Sequence, residues 1–338
     1  MKKYLLPKDG QFYKANLHCH TTVSDGHFSP KQVKEAYVSH GYSVIAFTDH
    51  DVMIPHPELA DEHFLPLNGY EMEVSRNRQG TATCHMCLIA LDPDNLTQVC
   101  FHREKYIGIG NAAQYRDRVK FDETLPDYER EYTPEKISEM MQMGRDGGFF
   151  VTYNHPNWSI EGPEQYLNYH GMHAMEIHNT DCLSIGYPDY NDKEYDQMLR
   201  GGERIFCIAT DDNHNKYPLD SRRSDSIGGW TMIKAEKLDY KAITDALVAG
   251  HFYASEGPEI YDLWLEHGKI HITCSDADRI ILSGSKRKAQ IEYAEDGKPL
   301  NEAVFEVDRE QQYVRVTVMD ADGRHANTNA YFADEWLT

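Results

Sequence analysis

Leu17-His18-Cys19-His20 places two imidazoles two residues apart. In an extended strand side chains alternate, so His18 and His20 share one face and Cys19 takes the other. Two imidazoles on one face can bind one metal ion; they can equally be ordinary polar residues at a strand end. The next residues, Thr22-Val23-Ser24-Asp25-Gly26, read as a turn. That turn either brings the Asp25 carboxylate back over the imidazole pair or is merely shaped by it.

The same kind of ending recurs along the chain. Val44-Ile45-Ala46-Phe47-Thr48 runs into Asp49-His50-Asp51, three ionisable residues after a buried strand. Burying an unpaired charge is costly, so these residues belong at the strand's end, at the mouth of a barrel. His50 reads as a ligand there, and Asp49 and Asp51 as acceptors that orient imidazoles. Gly69-Tyr70-Glu71-Met72-Glu73, Cys84-His85-Met86-Cys87, Asn154-His155-Pro156, Glu176-Ile177-His178 and Asp211-Asp212-Asn213-His214 repeat the form. Six such endings are hard to explain as solvated strand tips. Nitrogen and oxygen donors without paired thiolates suit Zn, Mn or Fe. Cys84 and Cys87 differ by three positions, face opposite sides of a strand, and cannot pinch one metal.

The elements that must position these groups are legible too. Strands are expected at 12–19, 43–49, 64–71, 84–91, 148–154, 173–178, 204–210 and 229–235, and helices at 30–40, 133–146, 191–201 and 239–250. Ser29-Pro30 and Thr133-Pro134 place a cap before a first-turn proline, and Gly41 and Gly250 follow helix ends. Strands alternating with helices imply parallel βα units, and seven or eight of them suggest a closed barrel. Segment 92–132 is polar and irregular and is expected to pass over the barrel mouth. After about residue 257 alternating runs with turns at Asp296-Gly297 and Asp322-Gly323 imply a small all-β appendage. The organisation expected is a barrel over 1–257 and a β domain over 258–338.

Composition narrows the partners. Lys and Arg total 34 against 55 Asp and Glu, a formal charge of −21. That field argues against nucleic acid, whereas two or three divalent cations, adding about four to six charges, would reverse it within one cleft. The seven cysteines are scattered, so a disulfide framework is not expected and a reducing compartment is. No apolar run is long enough for a signal peptide or a membrane span, so a cytoplasmic protein is expected. Oligomeric state is not legible.

Taken in order, His18-x-His20, Asp25-Gly26, Thr48-Asp49-His50, Gly69-x-Glu71, His85, His155-Pro156 and Asp212-x-His214 resemble the PHP (polymerase and histidinol phosphatase) family of metal-dependent phosphoesterases. The resemblance spans roughly residues 12–215. It implies a distorted (β/α)7 barrel with two to three divalent transition-metal ions. By the same resemblance His18, His20 and Asp212 hold one ion, and Glu71 bridges to a second completed by His85 and His155. Asp25, His50 and His214 hold a third. Glu73 is the alternative to Glu71.

The implied activity is phosphomonoester hydrolysis of a small phosphorylated molecule by a metal-activated hydroxide. Asp212 is then a ligand and the expected proton acceptor. His178 is a candidate substrate contact that could also touch metal or only pack. Arg222 and Arg223 either clamp a second anionic group or form a solvated pair. The C-terminal segment resembles the β domain of relatives that include carbamate hydrolases, which makes carbamate or amide hydrolysis at the same metals the alternative.

Overall fold

A computed structural model describes residues 2–76 and 81–336. Seven strands surround the site: β1 (Gln11–Asn16), β2 (Tyr42–Phe47), β3 (Leu65–Ser75), β4 (Thr83–Ala90), β5 (Phe149–Tyr153), β6 (Ala174–Asn179) and β7 (Phe206–Thr210). Each pairs with the next in chain order. Beyond the last residues of β1 and β7 the two chains meet. The Asp212 N–H donates to the His18 carbonyl, and the His20 N–H donates to the Asn213 carbonyl, both at 3.0 Å. The ring therefore closes at its mouth, through the residues that carry the metal-binding motifs.

Short local signals set the helices. In α1 (Pro30–Val38) the Ser29 hydroxyl caps Gln32 and the Gln32 side chain returns to the Ser29 N–H. Thr133 caps α2 (Pro134–Asp146), and α3 (Asp192–Gly201) ends at Gly202 in the left-handed region. Asp239 caps α4 (Tyr240–Val248). Val44, Leu67, Ile89, Phe150 and Ile208 from the ring pack with Ile243 and Leu247 of α4. Helix α2 buries Ile137, Met140 and Met141 over β4 and β5, at roughly 1.5–3 kcal/mol per side chain.

The parallel βα units that the sequence implies do not run through the whole ring. β4 runs antiparallel to both β3 and β5. Only seven residues separate Ser75 from Thr83, too few for a parallel crossover, which needs a dozen or more. The expected strand at 229–235 forms as β8 (Trp230–Ala235), but it lies antiparallel on β1 and leads out of the ring.

The main sheet continues from β8 through β9 (Phe252–Ser255) into the C-terminal strands. These are β10 (Ile260–Glu266), β11 (Lys269–Ala277), β12 (Arg279–Gly284), β13 (Gln290–Tyr293), β14 (Leu300–Glu306), β15 (Tyr313–Met319) and β16 (His325–Thr328). β9 pairs with β16, which pairs with β15 and through it β12 and β13. Strands β10, β11 and β14, with the short N-terminal strand Lys3–Tyr4 paired to β10, form a separate four-stranded antiparallel sheet. Alternate residues of β11, Ile270, Ile272 and Cys274, face inward toward Ile280, Val316 and Val318 of the main sheet. The C-terminal residues also seal the ring. Asn329 accepts from the Cys207 N–H on β7 and donates to the carbonyls of Gly250 and Phe252. No helix of the described residues is long and apolar enough to cross a membrane.

Candidate metal centre

The antiparallel course of β4 explains how His85 reaches the mouth. It lies near the start of its strand, and a reversed strand begins where its neighbours end. Glu71 sits inside the long strand β3 and forms the middle of the cluster. Its Oε1 lies 3.2 Å from His18 Nε2, 3.0 Å from His85 Nδ1 and 3.4 Å from His155 Nε2. Its Oε2 lies 3.1 Å from His50 Nδ1 and 3.4 Å from His20 Nε2. Asp212 Oδ1 is 3.0 Å from Nε2 of both His18 and His20. Asp25 Oδ2 faces His50 Nε2 at 3.7 Å and His214 Nε2 at 3.6 Å.

All nine residues expected as ligands thus stand in one cluster. Overlapping groups within it could hold an ion, among them His18, His20 and Asp212; Glu71, His85 and His155; and His20, Asp25, His50 and His214. Glu73 touches only the edge of the cluster, 3.3 Å from His85 Nε2.

The donors fit metal ions. His20 Nδ1, His50 Nδ1, His85 Nε2, Asp25 Oδ1 and Asp212 Oδ1 are buried without a hydrogen-bond partner, although polar atoms crowd around them. Atoms that converge without bonding one another suit ligands of a shared cation. Charge argues the same way. Burial pulls the His18, His20 and His85 imidazoles down, but the surrounding carboxylates outweigh it and raise all three, His85 to about 10. Burial also raises Glu71 and Asp212, and the imidazoles overrule it, holding both well below the carboxylate range. His50 goes the other way, to about 3, through burial and then the charge on His20. Without metal, protons bind this anionic cluster together; cations can take their place.

The supporting groups only partly match expectation. His18 donates from Nδ1 to Glu176 Oε1 at 2.7 Å, which turns Nε2 inward. Glu176 also accepts from the His155 N–H and the Thr210 hydroxyl. No role was foreseen for it, yet a glutamate inside the apolar run of β6 was a usable signal. Asn154 donates to Glu71 at 3.0 Å. Asp49 does not orient an imidazole: it accepts from Thr21 and Ser24 and fixes the turn before Asp25. Asp51 instead pairs with Arg130 at 2.6 Å, deep in the wall of the mouth. Cys87 lies beside His18 and Glu71, close enough to join them around an ion, and burial pushes its thiol up. Cys84 faces the outer core. His155 (φ 28°) and Asp212 (φ 54°) hold left-handed backbone at the mouth, strain of the kind that gathers at functional sites.

A cavity of about 400 Å³ opens over the cluster. Trp158, Ile109 and Ile185 form apolar walls, and Ile109 comes from the excursion 92–132, which does reach the mouth. Lys216 and Arg223 stand at the lip, with Arg223 4.2 Å over the Tyr217 ring. Arg222 and His178 are not among the lining residues.

Residues 16–157 match the model of the PHP domain. The chain carries a PHP domain. The match takes in His18 through His155, and the fold places Asp212 and His214 beside them although they lie beyond its end. The fold is the mixed α/β PHP type with a separate antiparallel sheet.

Similar solved structures include a two-domain protein of Bacteroides vulgatus containing a predicted PHP-like metal-dependent phosphoesterase. It is 15% identical over 98% of this chain and 97% of that one, with a TM-score of 0.47. A predicted metal-dependent phosphoesterase of Bifidobacterium adolescentis is 18% identical over 62% and 90%, TM-score 0.39. An amidohydrolase of Chromobacterium violaceum with bound sulfate and no metal is 17% identical over 59% and 87%, TM-score 0.40. Comparison with curated proteins finds no match.

Proposed function

We propose that this chain is a metal-dependent phosphomonoesterase acting on a small phosphorylated molecule. The observation that carries the reading is the pair of cations at the lip. In a chain of formal charge −21, Lys216 and Arg223 stand over the one cavity that contains the histidine–carboxylate cluster. Lys and Arg favour a phosphoryl group over a neutral carbamate or amide, and they do so here beside Asp181 and Asp225, which line the same cavity.

His18, His20 and Asp212 would hold one ion, Glu71, His85 and His155 a second, and Asp25, His50 and His214 a third, with Glu71 between the first two. When bound, the ions supply an activated water and charge neutralisation for the phosphoryl oxygens. The chain's own part is positional and electrostatic. Glu176 and the Asp212 carbonyl orient His18 and His214 through their Nδ1 atoms, leaving Nε2 to face the cluster. Asp212, a ligand in this assignment, is also the expected proton acceptor. Trp158, Ile109 and Ile185 give the cavity apolar surface, Ile185 itself remaining exposed. Lys216 and Arg223 hold the substrate's anionic group, Arg223 already braced on Tyr217.

The test is a panel of phosphate monoesters and carbamates presented to the full chain reloaded with Zn, Mn or Fe. Phosphate release is expected, with two to three metal equivalents by elemental analysis. Carbamate cleavage with no phosphate release would overturn the assignment, and less than one equivalent would overturn the multi-metal centre.

A further inference from the structure

His178 leaves β6 and turns away from the cavity, toward the seam between the ring and the C-terminal strands. It is only 5% exposed. Its two ring nitrogens meet different surroundings. Nε2 lies 3.2 Å from the Thr180 hydroxyl, and that hydroxyl's single proton goes to Asp211 Oδ1 at 2.8 Å. The Thr180 oxygen is therefore an acceptor toward His178, and the imidazole proton belongs on Nε2.

Nδ1 is then left with a lone pair, and it has no hydrogen-bond partner. What faces it is negative: Glu256 Oε2 at 3.3 Å and Asp189 Oδ2 at 3.6 Å. A lone pair set against two carboxylates is repulsive unless something positive lies among them. No lysine or arginine among the described residues pairs with either carboxylate, and the other oxygen of Glu256 is taken by His325 Nδ1 at 2.5 Å.

We propose that His178 Nδ1, Asp189 and Glu256 form a further divalent-cation site, separate from the main centre and suited to zinc or a similar transition metal. The spacing supports it. Two ligand atoms at ordinary bond lengths from a tetrahedral zinc stand ~3.4 Å apart, and the observed separations of 3.3 and 3.6 Å bracket that distance. The charges balance, with two carboxylates against one dication. The outer contacts also have the form of a metal site: Thr180 fixes the imidazole tautomer, and His325, stacked on Tyr190 at 4.3 Å, fixes Glu256. Entry is open, because the Asp189 side chain is 26% exposed. The three ligands come from the end of β6, the loop before α3 and the residue after β9, so a bound ion would tie the ring to the sheet that continues it.

The alternative occupant of the gap is a second proton on His178, and metal counting separates the two. The full chain is stripped, reloaded with zinc at a concentration that saturates the parent, freed of excess ion and analysed for metal. Asp189→Asn and Glu256→Gln are each expected to carry about one equivalent less than the parent. The same loss is expected when each is combined with Asp212→Asn, since the two sites share no ligand. Zinc should also raise the thermal midpoint of the parent more than that of Asp189→Asn. His178→Gln makes the same test, and if it fails to fold the two carboxylate variants carry it. Equal zinc in the parent and the carboxylate variants would show that a proton fills the gap and would overturn the proposal. The outcome does not depend on whether the main centre cleaves phosphate esters.

Discussion

Replacing Asp51 with alanine strands the Arg130 guanidinium inside the wall of the mouth. The pair is 2.6 Å apart with side chains 2% and 4% exposed. Burial raises the Asp51 carboxyl, Arg130 pulls it back, and the net remains upward, so the pair only partly offsets its own desolvation. Removing one partner of a buried pair costs about 3–5 kcal/mol. Arg130 would keep the Glu73 carbonyl at 2.9 Å and the face of Tyr106 at 4.2 Å, which places the loss at the low end. At roughly 2 °C per kcal/mol for a chain of this size, the metal-free protein should melt about 6 °C lower. Asp51→Ala combined with Arg130→Met removes both charges and should recover most of that, because an apolar pair of similar volume carries no desolvation cost. Thermal melting followed by circular dichroism reads both. A drop under about 2 °C for the single variant, or a double variant no better than the single, would refute the reasoning.

Asp212→Asn should keep the fold and lose at least about a hundredfold in kcat with metals restored, since the charge supporting the cation and the proton acceptor both disappear; turnover within a few-fold of the parent would remove Asp212 from the centre. Metal loading at neutral pH should release protons, seen as calorimetric heats that vary with buffer, because in the metal-free chain carboxylates hold His18, His20 and His85 protonated. Affinity should therefore fall as the pH is lowered. For the metal-free fold the sign is the reverse: the contribution of the raised His85 is full below its ordinary value of 6.5 and is lost as pH rises through about 10. Arg223→Ala should raise KM for a phosphorylated substrate several-fold while Arg222→Ala leaves it unchanged, because only Arg223 lines the cavity.

The sequence carried the ligands well because each motif is local. A strand end, a turn or a two-residue spacing is enough to place His18, His20, Asp25 and His50 on one face, and the structure brings those residues together. The helices and the ring strands fall close to their expected positions for the same reason. Strand direction was not legible: periodicity in Thr83–Ala90 is the same whichever way the strand runs, and only the short link from β3 hints at reversal. Pairings across long stretches of chain were hidden as well. Asp51 reads as one more mouth acid until Arg130, from an irregular segment, is found beside it. Lys216 carries no motif and becomes visible only as part of a cavity lip.

The reach of Asn329 across the ring has a consequence for how the chain is made. It binds the edge of β7 from 122 positions further along the chain and also holds the carbonyls on either side of β9's start. During synthesis every residue of the metal cluster emerges well before this latch. Strand β7, which leads into Asp212 and His214, then waits with its Cys207 N–H uncovered while the C-terminal strands are still being translated. Non-local closure of this kind is slow and leaves strand edges open to wrong partners. Slow closure and reliance on chaperones during expression are the expected signatures of a site whose ligands come early and whose frame comes late.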